Sequence, residues 1–126
     1  MKLVRQPDGS SLCGQSCVAM AAGVSLKRAV AAVGHSRIGG THTREIVAAL
    51  RALGVECADR CRKVSRKRPV LPQRGMVVIH QPKGEHGVSY HRWHWILTWD
   101  GQIYDPAGLW PDRYTDWRIT SYLEIF

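Results

Sequence analysis

Trp93-His94-Trp95-Ile96-Leu97-Thr98-Trp99, then Asp100-Gly101, then Gln102-Ile103-Tyr104-Asp105-Pro106 is the stretch on which the fold turns. An Asp-Gly pair between two apolar, aromatic-rich runs signals a two-residue hairpin turn, because both central residues must take positive φ. With Asp100 and Gly101 at the tip, Trp99 opposes Gln102, Leu97 opposes Tyr104 and Ile96 opposes Asp105. Opposed residues share a sheet face, as do residues two apart on one strand. His94 and Asp105 therefore fall on one face as diagonal neighbours, with Cα atoms about 7–8 Å apart, near enough for their side chains to lean into a hydrogen bond. His91 falls on the other face, and a one-residue bulge would exchange the two histidines.

A histidine oriented by a carboxylate asks for a nucleophile on its free ring nitrogen. Cys13-Gly14 opens an apolar, helix-patterned stretch, and a thiol there meets the positive end of the helix dipole and unpaired backbone N–H groups, which favour thiolate. Gly14 would let a substrate approach without a side chain in the way. Cys17, one turn on, is better placed for burial. Gln6, on the lead-in, offers an amide N–H that could join the backbone N–H of Cys13 in holding an oxyanion.

Working outward, the helix is predicted over 13–22 with Gly23 as its stop. A second begins after Ser25 and ends at Gly34. A third follows the Gly39-Gly40 loop, with Thr41 or Thr43 as its cap, Ile46, Val47, Leu50 and Leu53 as its buried stripe, and Gly54 as its end. Val55-Glu56-Cys57 reads as a weak strand and 75–80 as a stronger one. Residues 81–89 read as a flexible loop, 90–99 and 102–105 as the hairpin, and 119–126 as an edge strand. Helices first and strands afterwards predict an α+β domain on an antiparallel sheet.

The chain has 126 residues, room for one domain over 1–126, and its 44% hydrophobic content can build a core. The amino terminus turns polar before any stretch long enough for a signal peptide, and the longest apolar run, 18–26, is broken by Gly and Ser and too short for a bilayer. A soluble, cytoplasmic protein without cofactor or metal is the expectation, with its four cysteines as free thiols. The net charge is +8, and six of the nine residues from Arg60 to Arg68 are basic. That patch is either a solvated loop or a site for a polyanion or acidic partner.

Other readings of the same residues are plainer. Cys13-x-x-x-Cys17 and Cys57-x-x-x-Cys61 could supply four thiolates to zinc, but structural zinc favours tighter knuckles. Trp93, Trp95, Leu97 and Trp99 alternate as a packed sheet face does; a stacking platform for single-stranded nucleic acid is the alternative. His35, His42, His80, His86 and His91 read as structural or surface residues. A catalytically silent binding module or effector using the 60–68 patch is the function class that competes with catalysis.

Gln6, Cys13-Gly14, the Gly40-Thr41 helix start, His94-Trp95-Ile96-Leu97 and Ile103-Tyr104-Asp105-Pro106, in that order, resemble the papain-like cysteine peptidases that process double-glycine (bacteriocin) leaders, especially their stand-alone relatives. The resemblance spans most of the chain, and its specificity lies in the ordered combination. Two departures are Leu12, where leader peptidases commonly carry Asp before the cysteine, and a longer spacing from Gln6 to Cys13. The resemblance implies a papain-like fold, with N-terminal helices packed on the antiparallel sheet. It further implies a Cys13–His94–Asp105 triad with Gln6 as oxyanion donor, and a thiol hydrolase that cleaves a peptide or amide bond of a peptide or protein substrate through an acyl-enzyme. Amidase, isopeptidase or acyl-transfer chemistry would use the same triad.

Overall fold

A computed structural model describes residues 1–81 and 92–126. Most of the loop expected over 81–89, the first two residues of the strand expected over 90–99, and His86 and His91 lie outside the described residues. Helices α1 (Cys13–Ala22), α2 (Leu26–Val33) and α3 (Thr43–Ala52) precede β1 (Arg62–Lys63), β2 (Arg74–His80), β3 (Trp93–Trp99), β4 (Gln102–Tyr104), a 3₁₀ turn (Asp112–Tyr114) and β5 (Arg118–Glu124). The strands form one five-stranded sheet in the order β1-β5-β2-β3-β4, antiparallel at every pairing. The class is α+β, as the order of elements predicts.

Helix α1 is the hub. Cys13 through Met20 are all buried, Gln15 and Ser16 included, so the helix is enclosed on every side rather than along the one stripe its apolar spacing implies. Gly23 ends it in the left-handed conformation, φ 66°. Ser25 caps α2 by accepting from the Arg28 N–H at 3.2 Å, as expected. The cap of α3 is a correction: His42 holds that position, and Glu45 reaches back to accept from the His42 N–H at 3.1 Å. Thr41 is turned inward instead, where its hydroxyl donates to Gln15 Oε1 at 3.0 Å and its carbonyl accepts from Trp95 Nε1 at 2.9 Å.

The tryptophan alternation is a packed face. Trp95 (1% exposed) and Leu97 meet α1 and α3 together with Met76, Val78 and Leu123. Truncating such a buried indole costs about 3–5 kcal/mol. On the opposite face Val77, Ile79 and Ile96 are covered by Trp110, Tyr114 and Trp117 from the segment between β4 and β5.

Three strand expectations change. Val55-Glu56-Cys57 contributes only an isolated bridge, Cys57 to Ile125. The carboxy-terminal strand is interior, because β2 pairs along one side of it and β1 along the other. The edge falls to Arg62-Lys63, inside the basic segment, whose charges keep an exposed edge from further pairing. Among the described residues no single helix is long and apolar enough to cross a membrane.

Candidate active site

The hairpin has the predicted register. Leu97 pairs with Tyr104, Thr98 with Ile103 and Trp99 with Gln102, with no bulge between these strands. Asp100 and Gly101 turn the chain at φ 51° and 81°, both positive as a type I′ turn requires. Asp105 emerges from β4 on the His94 side, and His94 Nε2 lies 2.6 Å from Asp105 Oδ1. With Nε2 engaged there, Nδ1 is the ring nitrogen left for a second partner.

That partner is Cys13. The thiol lies near enough to the imidazole to favour its protonated form. Cys13 is the first residue of α1, whose N-cap, Leu12, has no side chain with which to close the helix end. Only 6% of Cys13 is exposed, yet it lines a cleft of about 780 Å³ together with His94, Gln6, Gly39, Gly40 and Trp93. That size suits a ligand-binding cleft.

Asp105 is fixed before it meets the histidine. Its Oδ1 accepts from the Ala107 N–H and its Oδ2 from the Leu109 N–H, both at 2.9 Å. Asp105 is 4% exposed. Burial pushes its carboxyl upward most strongly, but the His94 bond and the two backbone N–H groups outweigh that and hold it below the ordinary carboxylate value. The opposite balance is struck at His94. Burial is again the largest influence and disfavours the cation, but Asp105 and Cys13 together raise the imidazole to about 9. The ring is therefore set up to carry a proton near neutral pH.

Gln6 also reaches this cleft. Its backbone N–H donates to Pro106 O at 2.9 Å, which ties the lead-in to the residue after Asp105. Its side-chain Nε2 donates one N–H to Ser10 O at 2.9 Å. Turning the amide over would set Oε1 against that carbonyl, so the nitrogen stays on the Ser10 side and keeps a second N–H.

Other candidate residues have different duties. Gly14 does not face the cleft: a Cβ there would come within 3.1 Å of Ile46 and 3.2 Å of Thr41 and Trp95, so this glycine lets α1 close onto α3 and β3. At Gly40 (φ +93°) a Cβ would meet the Trp93 ring at 2.6 Å, and here glycine shapes the cleft wall. Cys17 is fully buried, with its thiol donating to Trp95 O at 3.7 Å. All four cysteines are free, and among the described residues no group of three or more His, Cys, Asp or Glu is arranged to hold a metal. His35 contacts Glu45 at 2.6 Å, and His80 meets the Thr120 hydroxyl at 2.7 Å.

One member of the site escapes the sequence reading. Tyr114 stacks on His94, with centroids 5.7 Å apart and planes 19° from parallel, and its hydroxyl feels the charge of the Asp105 carboxylate. Burial, then Asp105, drive its phenol well above the ordinary value, so it stays a donor. Trp117 packs edge-on against it at 5.0 Å. No local pattern marks Tyr114, because it belongs to an irregular segment that reaches His94 only through the sheet's long-range packing.

No family model matches the chain, and no curated protein matches it. Among solved structures, the peptidase domain of Streptococcus ComA, a bi-functional ABC transporter involved in a quorum-sensing pathway, is similar over 98% of this chain and 96% of that one, at 19% identity and a TM-score of 0.56. The fold is papain-like. In this fold the start of α1 and the ends of β3 and β4 bring Cys13, His94 and Asp105 together from distant parts of the chain.

Proposed function

We propose that the protein is a thiol hydrolase that cleaves a peptide or amide bond. The observation that carries this reading is the convergence of Cys13 and His94, itself held by Asp105, on the wall of one open cleft. In the proposed reaction the Cys13 proton already rests on His94 Nδ1, and the sulfur attacks the substrate carbonyl carbon. The electron pair displaced onto oxygen is held by the Cys13 backbone N–H and the spare N–H of Gln6. His94 then gives its proton to the leaving nitrogen, the C–N bond breaks and a thioester remains. Water attacks the thioester with its proton taken by His94, the acid departs, and the sulfur is released. Asp105 and Tyr114 are positioning residues: one holds the imidazole through Nε2, the other stacks over the ring.

The motif order shared with leader peptidases favours a peptide substrate over a small amide. The reading is tested by treating the protein with a peptide-like thiol-directed electrophile and mapping the adduct by mass spectrometry. Modification of Cys13, lost in Cys13→Ala, is expected. Modification that persists in Cys13→Ala and disappears in Cys17→Ala overturns the assignment.

A further inference from the structure

The surface beside the cleft bears on which peptides would enter it. Trp117 lines the cleft of Cys13 and His94, and with Trp110 it also walls a second hollow of about 420 Å³ that contains Arg66 and Arg118. Arg66 and Arg118 continue into a third hollow with Lys63. The strand register sets the scale. Ile79 opposes His94 on one side and Ile119 on the other, so Ile119, next to Arg118, stands two strand spacings from His94. That is about 10 Å, which an extended peptide covers in about three residues.

The lining is one-sided in charge. Arg92 joins the cleft, Arg66, Arg118 and Lys63 line the adjoining hollows, and no Asp or Glu is among the described residues of any of the three. Elsewhere arginines find carboxylates: Arg37 pairs with Glu45, Arg51 with Asp59 and Arg74 with Asp100. Among the described residues, none of the four groove cations is so paired. Exposed cations without internal partners beside aromatic walls fit acidic side chains on an extended chain, with Trp117 packing against its stem.

We infer that Trp117, Arg66 and Arg118 form a subsite for acidic residues of the substrate, about three positions from the bond that is cut, so that acidic-flanked peptides are the preferred substrate class. This rests on the thiol-hydrolase reading, since it makes the basic surface an extension of the substrate cleft. A nucleic acid would satisfy the charge as well, but it would have no reason to continue into a cleft that ends at a thiol.

The test uses the full chain and two dodecapeptides of matched sequence, one with Asp and Glu to either side of a central apolar segment and one with Asn and Gln instead. Binding of the fluorescent peptides to Cys13→Ala is read by anisotropy, and protection of Cys13 from alkylation is read in the unaltered protein. The acidic peptide should bind about tenfold more tightly and should slow alkylation. Both effects should be lost in Arg66→Glu/Arg118→Glu and retained in Lys27→Glu/Arg28→Glu, which makes the same charge change on exposed residues of α2. Equal binding of the two peptides, binding that leaves alkylation unslowed, or insensitivity to the groove reversals each overturns the subsite. Tighter binding of a single-stranded oligonucleotide with the same arginine dependence overturns it in favour of nucleic acid. The hydrolase reading fails separately, if Cys13 is not the residue that a peptide electrophile modifies.

Discussion

Cys13 and Cys17 stand one turn apart on α1, and both are nearly closed to water, at 6% and 0% exposure. The second-turn thiol faces a carbonyl oxygen of β3, and burial, with Cys13 and Asp105 nearby, pushes its pKa well above the ordinary value. The first-turn thiol faces an imidazole instead, at the uncapped end of the helix. Depth of burial does not separate the two. What separates them is the group each sulfur meets, and this is why a cysteine pattern alone tells little about reactivity.

The largest effect expected is therefore an asymmetry between the two turns. Cys13→Ala should lower peptide hydrolysis on the order of 10⁴-fold or more, as loss of a nucleophile does in a triad. Cys17→Ala should leave Cys13 labelling intact and cost about 1–2 kcal/mol in urea unfolding, through the cavity it leaves. Comparable activity in the two variants would erase the distinction.

Next comes the orienting carboxylate. Asp105→Ala leaves His94 Nε2 and the N–H groups of Ala107 and Leu109 without their acceptor, and kcat/KM should fall about 10²–10⁴-fold. Asp105→Asn should fall between wild type and Ala, since its remaining oxygen can still accept from His94 while its NH₂ opposes a backbone N–H. Wild-type activity in Asp105→Asn, with loss confined to the Ala variant, would show that the carboxylate only fills space.

Stability should report the same pairing as a function of pH. His94 is raised from 6.5 to about 9 in the folded protein, so its contribution is fully present below pH 6.5 and is lost as pH rises through about 9. The loss across that window is on the order of 3 kcal/mol. Asp105 runs the other way: its lowered carboxyl stabilises the fold above 3.8 and ceases to do so as pH falls through the depressed value. Urea titrations should show a decline on the alkaline side that flattens in His94→Gln. The smallest effect belongs to Tyr114→Phe, which keeps the stacked ring and removes the hydroxyl that senses Asp105. A several-fold loss of turnover is expected, from about 0.5–1.5 kcal/mol, with little change in unfolding.

The sequence reading reaches furthest where local rules act alone. Helix α1 and the caps at Gly23, Ser25 and Gly34 follow from spacing and turn chemistry. The hairpin register follows from Asp100-Gly101, and with it the placing of Asp105 beside His94 rather than across the sheet. It falls short where distant segments meet. Tyr114 reaches His94 only because the β4–β5 segment folds back over the sheet, and β5 is interior only because the short, distant β1 pairs along its outer side. His42 replaces a threonine as cap because Thr41 is drawn inward by Gln15 and Trp95. Gly14, beside Cys13, is a packing residue because its vacant side faces Ile46.

The meeting of the Cys13 sulfur with the His94 ring is tested most directly by following the His94 imidazole through a pH titration by NMR, in the unaltered protein and in Cys13→Ala. The structure predicts a midpoint of about 9 for His94 when the thiol is present, and a clear fall when it is removed, because Cys13 beside the ring favours its charged form. A midpoint that does not move on removing the sulfur would contradict the account.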